Sequence, residues 1–282
     1  MEPTQLFSID VEEHFQANAF DRVVSREDWD RQPSRVEGNT ERLLDLLGRT
    51  GARATCFVLG WVAERHPALV RRIAAEGHEV ASHGWWHRRI GSMTPEELRQ
   101  EVRDSKRLLE DLTGTPVVGF RAPSFSIIPG REWAFDVLLE EGYTYDSSLF
   151  PIRRPDYGYP ASPVVPHEIR RPSGVLLEIP MATARVFGMR IPAAGGGYLR
   201  QLPYALIQRA ARDAVARRRP GMFYIHPWEV DPDQPRFPVG MLTRVRHYGG
   251  LEKTLGHLER LLTEFRFTSV AEWLAGEKAR AA

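Results

Sequence analysis

Residues 7–15 read FSIDVEEHF, so an apolar run typical of a buried β-strand ends in four ionisable side chains. Alternate side chains of a strand point the same way, and Asp10 and Glu12 are therefore expected to share one face where the strand leaves its sheet. Two neighbouring carboxylates are stabilised by a cation between or near them. Solvated acids at a strand exit are the competing interpretation of this segment taken alone.

Short apolar runs alternate along the chain with longer segments of helical period, which is the pattern of strands joined by crossover helices. The fold class is therefore α/β, and the strand count is close to that of a barrel. We predict seven strands, at 5–10, 54–59, 78–82, 117–121, 175–179, 222–226 and 266–269.

One helix is marked especially well, because Thr94 is a good N-cap, Glu97 completes a capping box and Gly114 ends the apolar period. Further helices are predicted at 67–76, 203–217 and 251–263.

Two segments interrupt the alternation of strands and helices. Residues 150–174 contain six prolines, which predicts a stiff loop. Residues 192–203, PAAGGGYLRQLP, place three glycines in a row and predict a flexible or closely packed turn.

The composition argues against some partners. The chain of 282 residues has 38 lysines and arginines against 37 aspartates and glutamates. This balance provides no electrostatic footprint for nucleic acid or for an anionic membrane, and a small or neutral partner such as a sugar fits better. The single cysteine, Cys56, lies in the apolar run ATCFVLG and is expected to be a buried structural thiol.

The first residues, MEPTQLFSID, lack a basic segment followed by a long apolar stretch. No run approaches the ~18 apolar residues of a membrane span. We therefore expect a cytoplasmic protein without a transmembrane segment. If its product is exported, it would act on a precursor at the inner face of the membrane.

Further candidates for chemistry follow three other predicted strands. His83 and His87 in SHGWWH are four residues apart, and on a helical turn that spacing brings two imidazoles within reach of one metal. Arg121 in GFRAPSF and His226 in MFYIHPWEVD end two more strands. Taken singly, these last two could be a surface ion-pair partner and a core histidine. Together with Asp10 they predict an active site, because the sites of α/β barrels gather at the carboxyl ends of the strands.

The segments SIDVE, SHGWWH, FRAPS and YIHP, in this order and spacing, resemble the motif pattern of the NodB-type polysaccharide deacetylases of carbohydrate esterase family 4. The resemblance covers nearly the whole chain, 1–282, as one domain. YDSSLFP, FYIHPWEVD and the GGGYLRQLP of a C-terminal part at 180–282 are similar to the branch found with exopolysaccharide and exosortase loci.

The resemblance implies a distorted (β/α)7 barrel and the metal-dependent removal of acetyl groups from N-acetylated sugars of a bacterial polysaccharide, in exopolysaccharide biosynthesis. It assigns the general base to Asp10, the cation that orients this base to Arg121, and the general acid to His226. The backbone N–H near Ser124 would help to form the oxyanion hole.

For the divalent metal, the resemblance implies Glu12, His83 and His87 as ligands. Glu13 is the alternative to Glu12, which we prefer on strand parity. Two nitrogen ligands and one oxygen ligand favour zinc, with cobalt, nickel and iron as alternatives.

Most members of the family carry two adjacent aspartates where this chain has Asp10, Val11 and Glu12. The chain departs from the family pattern at two further places. Arg88 stands where a proline usually follows the second histidine. No copy of the fourth motif's aspartate is apparent, and Glu178 in LLEIP is the candidate at the matching strand end. The acid partner of His226 is therefore open.

Aromatic side chains offer apolar faces to the C–H groups of pyranose rings. Trp85, Tyr145 and Trp228 are predicted to contact the glycan, with packing in the core as the competing interpretation. Trp85 and Trp86 lie between the two histidines, so one is expected to face the groove and the other the core.

Two other functions stay open on the sequence alone. An amidohydrolase of the same fold would act on a small cyclic amide or imide in a closed pocket, whereas the proline-rich segment and the aromatic residues favour an extended groove. A glycan-binding pseudoenzyme would be expected to have lost the base or a metal ligand, and this chain has lost neither.

Overall fold

The computed structural model describes residues 4–154, 157–186, 189–217 and 219–281. The strands are β1 (Gln5–Val11), β2 (Thr55–Val58), β3 (Glu79–Ser82), β4 (Gly119–Phe120), β5 (Tyr145–Asp146), β6 (His167–Arg171), β7 (Gly174–Glu178), β8 (Thr183–Val186), β9 (Met189–Pro192), β10 (Met222–Ile225) and β11 (Phe267–Thr268). The helices are α1 (Val36–Thr50), α2 (Gly60–Arg65), α3 (Pro67–Ala75), α4 (Pro95–Thr113), α5 (Trp133–Glu140), α6 (Gly197–Gln201), α7 (Tyr204–Ala216), α8 (Met241–Tyr248), α9 (Thr254–Glu264) and α10 (Val270–Ala281).

Parallel strands form the body of the fold. They pair in the order β10, β1, β2, β3, β4, β5, β7, and β6 adds to β7 in the antiparallel direction. Beyond β7 the chain returns to β10, where Met181 bridges Met222 and Gly195 bridges Tyr224, both in parallel. Seven parallel strands thus surround one interior, which confirms the predicted α/β barrel.

The first strand, β1, is buried along its whole length and has a parallel neighbour on each side. All seven residues of β1 are buried, with β10 paired on one side and β2 on the other. Such strands read as nearly continuous apolar runs because both faces are covered. On the inward face, Ser8 and Asp10 both bond to the guanidinium of Arg121, so these two polar groups inside the barrel have a partner.

The predicted helix after Thr94 is confirmed in detail. Thr94 and Glu97 form a capping box, and Gly114 ends α4 in the left-handed conformation with φ 67°. Cys56 is buried in β2, as predicted. In the segment 192–203, the close packing lies at Gly195, just before α6. Its φ is 144°, and a Cβ there would lie 1.7 Å from the carbonyl oxygen of Tyr224.

Some predicted elements are wrong. The barrel strand β5 has only two residues and shows no periodicity, so it was not predicted. Phe267–Thr268 is a strand but pairs with Gln5 and Leu6, outside the ring of seven. The proline-rich segment 150–174 is not wholly a loop, because His167–Arg171 forms β6 and pairs with β7. Residues 155–156 of that segment lie outside the described residues.

Replacing Gly195 with alanine should destabilise the protein by about 1 to 3 kcal/mol, because the added methyl would overlap the backbone of β10. Gly256 in α9 is the matched control: nothing lies within 4 Å of its Cβ position, and alanine there should stabilise by up to about 1 kcal/mol. Urea unfolding of both variants measures the two effects. An unchanged midpoint for G195A would contradict the close packing of this turn.

Candidate metal and acid–base site

The polar ends of four barrel strands meet in one place. Asp10 and Glu12 lie at the end of β1, His83 follows β3, Arg121 follows β4 and His226 follows β10. All except His226, which is partly accessible at 18% of its side chain, are at most a few per cent exposed. These side chains therefore converge at the carboxyl edge of the barrel, as predicted from the sequence.

The two histidines reach each other through a loop and not through the predicted helical turn. Residues 83–89 have no helical structure. Gly84, with φ 77°, and His87, with φ 51°, turn the chain back on itself. The imidazole centroids of His83 and His87 are 5.5 Å apart. The spacing of four thus places the rings together, but by left-handed backbone, which an apolar-period analysis does not detect.

Both imidazoles face the same oxygen of Glu12. Its Oε2 lies 2.8 Å from Nε2 of His87 and 3.8 Å from Nε2 of His83. On the other side of His83, Nδ1 is 2.7 Å from the carbonyl oxygen of Arg121. A carbonyl can only accept, so Nδ1 carries the proton and Nε2 keeps its lone pair.

These three residues fit a divalent metal. Their ligand atoms lie within 4.8 Å of one another. Glu12 Oε1 accepts the indole N–H of Trp228 at 3.0 Å, whereas the buried Oε2 has no hydrogen-bond donor of normal geometry. A buried carboxylate oxygen that faces two imidazole nitrogens is a donor set that suits a divalent metal.

Electrostatics supports the same set. Burial lowers the pKa of His83 to about 4, which keeps its imidazole neutral, the form that binds metals. Burial alone would raise the pKa of Glu12, but His87, His226 and His83 around it lower that pKa well below its usual range. Glu12 is therefore held as a carboxylate.

Glu13 has a different task. Its carboxylate accepts the backbone N–H groups of Arg35 at 3.0 Å and of Val36 at 3.2 Å. It thereby caps the first turn of α1, whose N–H groups otherwise lack partners. The alternative ligand considered from the sequence thus points away from the histidines.

Arg121 is fully buried and bonded on every side. Its Nη1 donates to Asp10 and, at 2.8 Å, to Ser8, while Nε and Nη2 donate to the carbonyl and hydroxyl oxygens of Ser147, each at 3.0 Å. The guanidinium also lies 4.1 Å from the ring centre of Phe57. This network fixes the orientation of the Asp10 carboxylate.

The partner of His226 is Glu229, which the sequence analysis missed. His226 Nδ1 lies 2.7 Å from Glu229 Oε1, and the other oxygen of Glu229 accepts from Arg200 at 2.9 Å. Glu178, the candidate considered from the sequence, instead accepts the backbone N–H of Leu149. The available signal was the acid three residues after the histidine in HPWE, which a short 3-10 turn at Pro227–Val230 brings back to it.

The second ring nitrogen of His226 faces the cleft. Nε2 lies 3.9 Å from Asp10 and 3.9 Å from Glu12. Burial would lower the pKa of His226, but Glu12, Glu229 and Asp10 raise it to about 9. These carboxylates favour the protonated imidazole, which can donate a proton from Nε2.

The predicted sugar contacts are largely wrong. Tyr145 is fully buried, and its hydroxyl donates to Glu79 at the amino end of β3, away from the site. Trp85 packs on Gly60, where a Cβ would lie 2.4 Å from the indole, and does not line the cleft. Trp228 lines the cleft but is only 6% exposed. Its ring is stacked between those of His226 and His247.

Ser124 lines the cleft in a strained turn. Ser124 and Phe125 have φ of 56° and 52°, a region that residues other than glycine rarely adopt. The side-chain amide of Asn18 bonds to the Ser124 hydroxyl. Ser124 lines the same cleft as Asp10, Glu12 and His226.

Two family models match separate parts of the chain. Residues 26–129 match the model described as "Polysaccharide deacetylase", and residues 147–275 match "Domain of unknown function (DUF3473)". The first match contains His83, His87 and Arg121. Residues 26–129 are therefore similar to the polysaccharide deacetylases. The second match contains His226 and Glu229, so the deacetylase segment shares its site with the segment of unknown function.

Known proteins similar to the deacetylase segment include a peptidoglycan-N-acetylglucosamine deacetylase of Bacillus cereus, 33% identical over 104 residues, or 37% of this chain and 47% of the relative. A peptidoglycan deacetylase of Helicobacter pylori is 34% identical over 110 residues, or 38% of this chain and 36% of the relative. The match spans less than half of either relative.

Solved structures resemble the whole fold. A Mycobacterium smegmatis protein assigned provisionally to the polysaccharide deacetylases has a TM-score of 0.64 at 20% identity, covering 99% of this chain and 92% of that one. The allantoinase PuuE has a TM-score of 0.61 at 20% identity, covering 95% and 88%. Such identities show a common fold.

No helix among the described residues is long and apolar enough to cross a membrane.

Glu12→Gln should weaken zinc binding by more than about 100-fold, because it removes the only anionic ligand of the cluster. Glu13→Gln is the matched control: zinc binding should be kept, while the free energy of unfolding falls by up to about 2 kcal/mol as the cap of α1 weakens. Competition with a chromophoric chelator measures the zinc affinity. Zinc lost from the Glu13 variant and retained by the Glu12 variant would reverse this assignment.

Proposed function

We propose that this protein is a metal-dependent hydrolase that removes N-acetyl groups from amino sugars of a bacterial polysaccharide. The observation that carries the proposal is the joint geometry of three groups: a metal-ligand cluster, a carboxylate held by a buried arginine, and a protonated imidazole that faces both. Hydrolysis of an amide needs a base for water, a stabilised oxyanion and an acid for the leaving amine.

Asp10 is the general base in this proposal. Arg121 holds one carboxylate oxygen, which leaves Oδ2 directed toward the cleft, 3.9 Å from His226. Asp10 takes a proton from water as the water oxygen attacks the acetyl carbon. The developing oxyanion accepts a hydrogen bond from the backbone N–H of Ser124 in the strained turn.

His226 is the general acid. Its Nε2 proton passes to the sugar nitrogen as the bond between carbon and nitrogen breaks, and the products are acetate and a free amine. Glu229 accepts from Nδ1 and so keeps the ring in one orientation with its other nitrogen toward the substrate.

A divalent ion, with zinc as the first choice, would be held by Glu12, His83 and His87 and would supply Lewis acidity to the acetyl oxygen and to water. The nitrogen-rich ligand set supports zinc, and the buried, unsatisfied Oε2 of Glu12 supports occupancy of the site by a cation.

An N-acetylated glycan is supported by the Bacillus cereus relative, whose name specifies N-acetylglucosamine in peptidoglycan. The exopolysaccharide role rests on the resemblance of the sequence motifs. The cleft, with a volume of about 640 Å³, supports an oligosaccharide over a small cyclic amide. The complete set of base, acid and ligands argues against a non-catalytic glycan-binding protein.

We also infer that the deacetylase segment and the segment of unknown function form one catalytic unit. His226 and Glu229 come from the second segment, His83 and His87 from the first, and Asp10 and Glu12 precede both matches. His226 lies 3.9 Å from Asp10 and from Glu12. Neither segment alone contains both the metal ligands and the general acid.

Asp10→Asn should reduce acetate release from N-acetylglucosamine oligosaccharides by about 10²- to 10⁴-fold, because asparagine cannot accept the proton. Zinc content, measured by elemental analysis, should be unchanged, since Asp10 is not in the ligand cluster. A rate close to that of the unchanged protein would refute the role of Asp10.

Glu229→Gln should shift the alkaline limb of the rate profile to lower pH. Glu229 helps to raise the pKa of His226 to about 9, and the acid acts only while protonated, so a lower pKa ends activity at a lower pH. Glu178→Gln is the control, because this buried carboxylate does not contact His226. The pH profile of acetate release distinguishes the two partners. A shift in the Glu178 variant alone would assign the partner to Glu178.

A further inference from the structure

The wall of the cleft is more basic than the chain as a whole, whose formal net charge is +1. Among the residues that line the cleft, Asp10 and Glu12 are the carboxylates, and both belong to the site already described. The cationic side chains of the wall are Arg89, Arg154, Arg200 and Arg246. A bound metal ion would add to this positive charge.

Three of these four arginines form no ion pair within the described part of the fold, although the Asp21 carboxyl lies near enough to interact with the charge of Arg89. Arg200 pairs with Glu229 at 2.9 Å and is compensated. Arg89, Arg154 and Arg246 have no carboxylate oxygen within 4.0 Å among the described residues. The Nε atom of Arg89 is buried there without a hydrogen-bond partner. A guanidinium with unused donors in a cleft is a good binder of oxyanions.

The three arginines come from separate elements. Arg89 belongs to the loop after His87, Arg154 to the segment after β5, and Arg246 to α8. Arg244 of the same helix does not line the cleft. A single solvated helix face therefore does not explain the cluster, because the fold brings its members to one cavity from distant parts of the chain.

Two tyrosines stand beside Arg154 in the same wall. The hydroxyl groups of Tyr157 and Tyr198 are 2.5 Å apart, and the guanidinium of Arg154 lies 5.9 Å from the ring centre of Tyr198. Both rings are partly exposed to the cleft. An aromatic surface next to a cation suits a sugar ring that carries a negative charge.

We propose that this wall is an anion subsite and that the glycan carries a negative charge close to its N-acetylated sugar. The inference rests on the deacetylase function proposed above and narrows its substrate class to acidic N-acetylated glycans. The charge is a uronic carboxylate or a phosphate, since a guanidinium pairs with either through two parallel hydrogen bonds. Apart from Arg89, the subsite is built by the segment of unknown function, which acquires a role in substrate recognition.

The first test compares charged substrates with neutral counterparts. For the carboxylate, acetate release is measured with an oligosaccharide of alternating N-acetylglucosamine and glucuronic acid, and with the same oligosaccharide after reduction of its carboxyl groups. For the phosphate, UDP-N-acetylglucosamine is compared with N-acetylglucosamine. In one of the pairs, kcat/KM should be at least about tenfold higher for the charged member. Equal values within both pairs overturn the proposal.

The second test removes the cations. The double variant Arg154→Gln, Arg246→Gln should lose most of the preference for the charged substrate while its kcat/KM for the neutral one stays within about twofold. Arg154→Lys with Arg246→Lys should keep part of the preference, and the control Arg244→Gln should keep all of it. An equal loss on charged and neutral substrates in the glutamine variant would indicate a structural role and contradict the subsite.

A binding measurement separates this proposal from the deacetylase function. The Asp10→Asn protein is titrated calorimetrically with the acidic oligosaccharide and with its carboxyl-reduced form, with and without the two arginine-to-glutamine changes. Tighter binding of the acidic form that depends on the arginines supports the subsite even if the unchanged protein releases no acetate. Acetate release from neutral glycan without any such binding preference would leave the deacetylase function and remove the subsite.

Discussion

The site depends on the hydrogen bonds made by the buried guanidinium of Arg121. A full charge inside a barrel is tolerated when it is paired and hydrogen-bonded, and Arg121 bonds to Ser8 and Asp10 of β1 and to Ser147 just after β5. Its side chain holds Asp10 on β1, while its carbonyl oxygen sets the tautomer of His83 after β3. One residue thereby orients both the proposed general base and a proposed metal ligand. The hydrogen bonds of Arg121 therefore hold elements of the barrel together and also orient the groups of the site.

A second network comes from the other half of the chain. Arg200 pairs with Glu229, Glu229 holds His226, and Trp228 donates to the oxygen of Glu12 that faces away from the imidazoles. The ligand carboxylate is thus oriented by a residue that follows β10. The return of the chain from β7 to β10, where Gly195 lies against Tyr224, brings this half into register with the first. The pairing of β10 with β1 then places His226 of the second matched segment beside Asp10 and Glu12.

The distribution of charge shows that overall composition is a poor guide to the charge of the binding partner. A nearly neutral chain was taken to favour an uncharged partner, yet the fold gathers arginines without an ion pair in the cleft, while many acids form ion pairs at the surface. Examples of such surface pairs are those of Arg72 with Glu41, Asp45 and Glu76. Net charge constrains solubility and long-range attraction, whereas recognition depends on the few charges that a cavity gathers.

The fold class and the positions of Asp10, Glu12, His83, His87, Arg121 and His226 were all predicted from the sequence, because buried strands and their polar ends are local features of the chain. The residues that only the tertiary structure revealed act through contacts between distant segments. Glu229 was missed because its pairing with His226 requires a 3-10 turn, and Tyr145 was misplaced because β5 is too short to show which face it presents. Arg89, Arg154 and Arg246 are ordinary surface residues until the barrel closes. Periodicity along a chain determines which residues are buried in an element, but the pairing of groups across a cleft is determined only by how the elements pack.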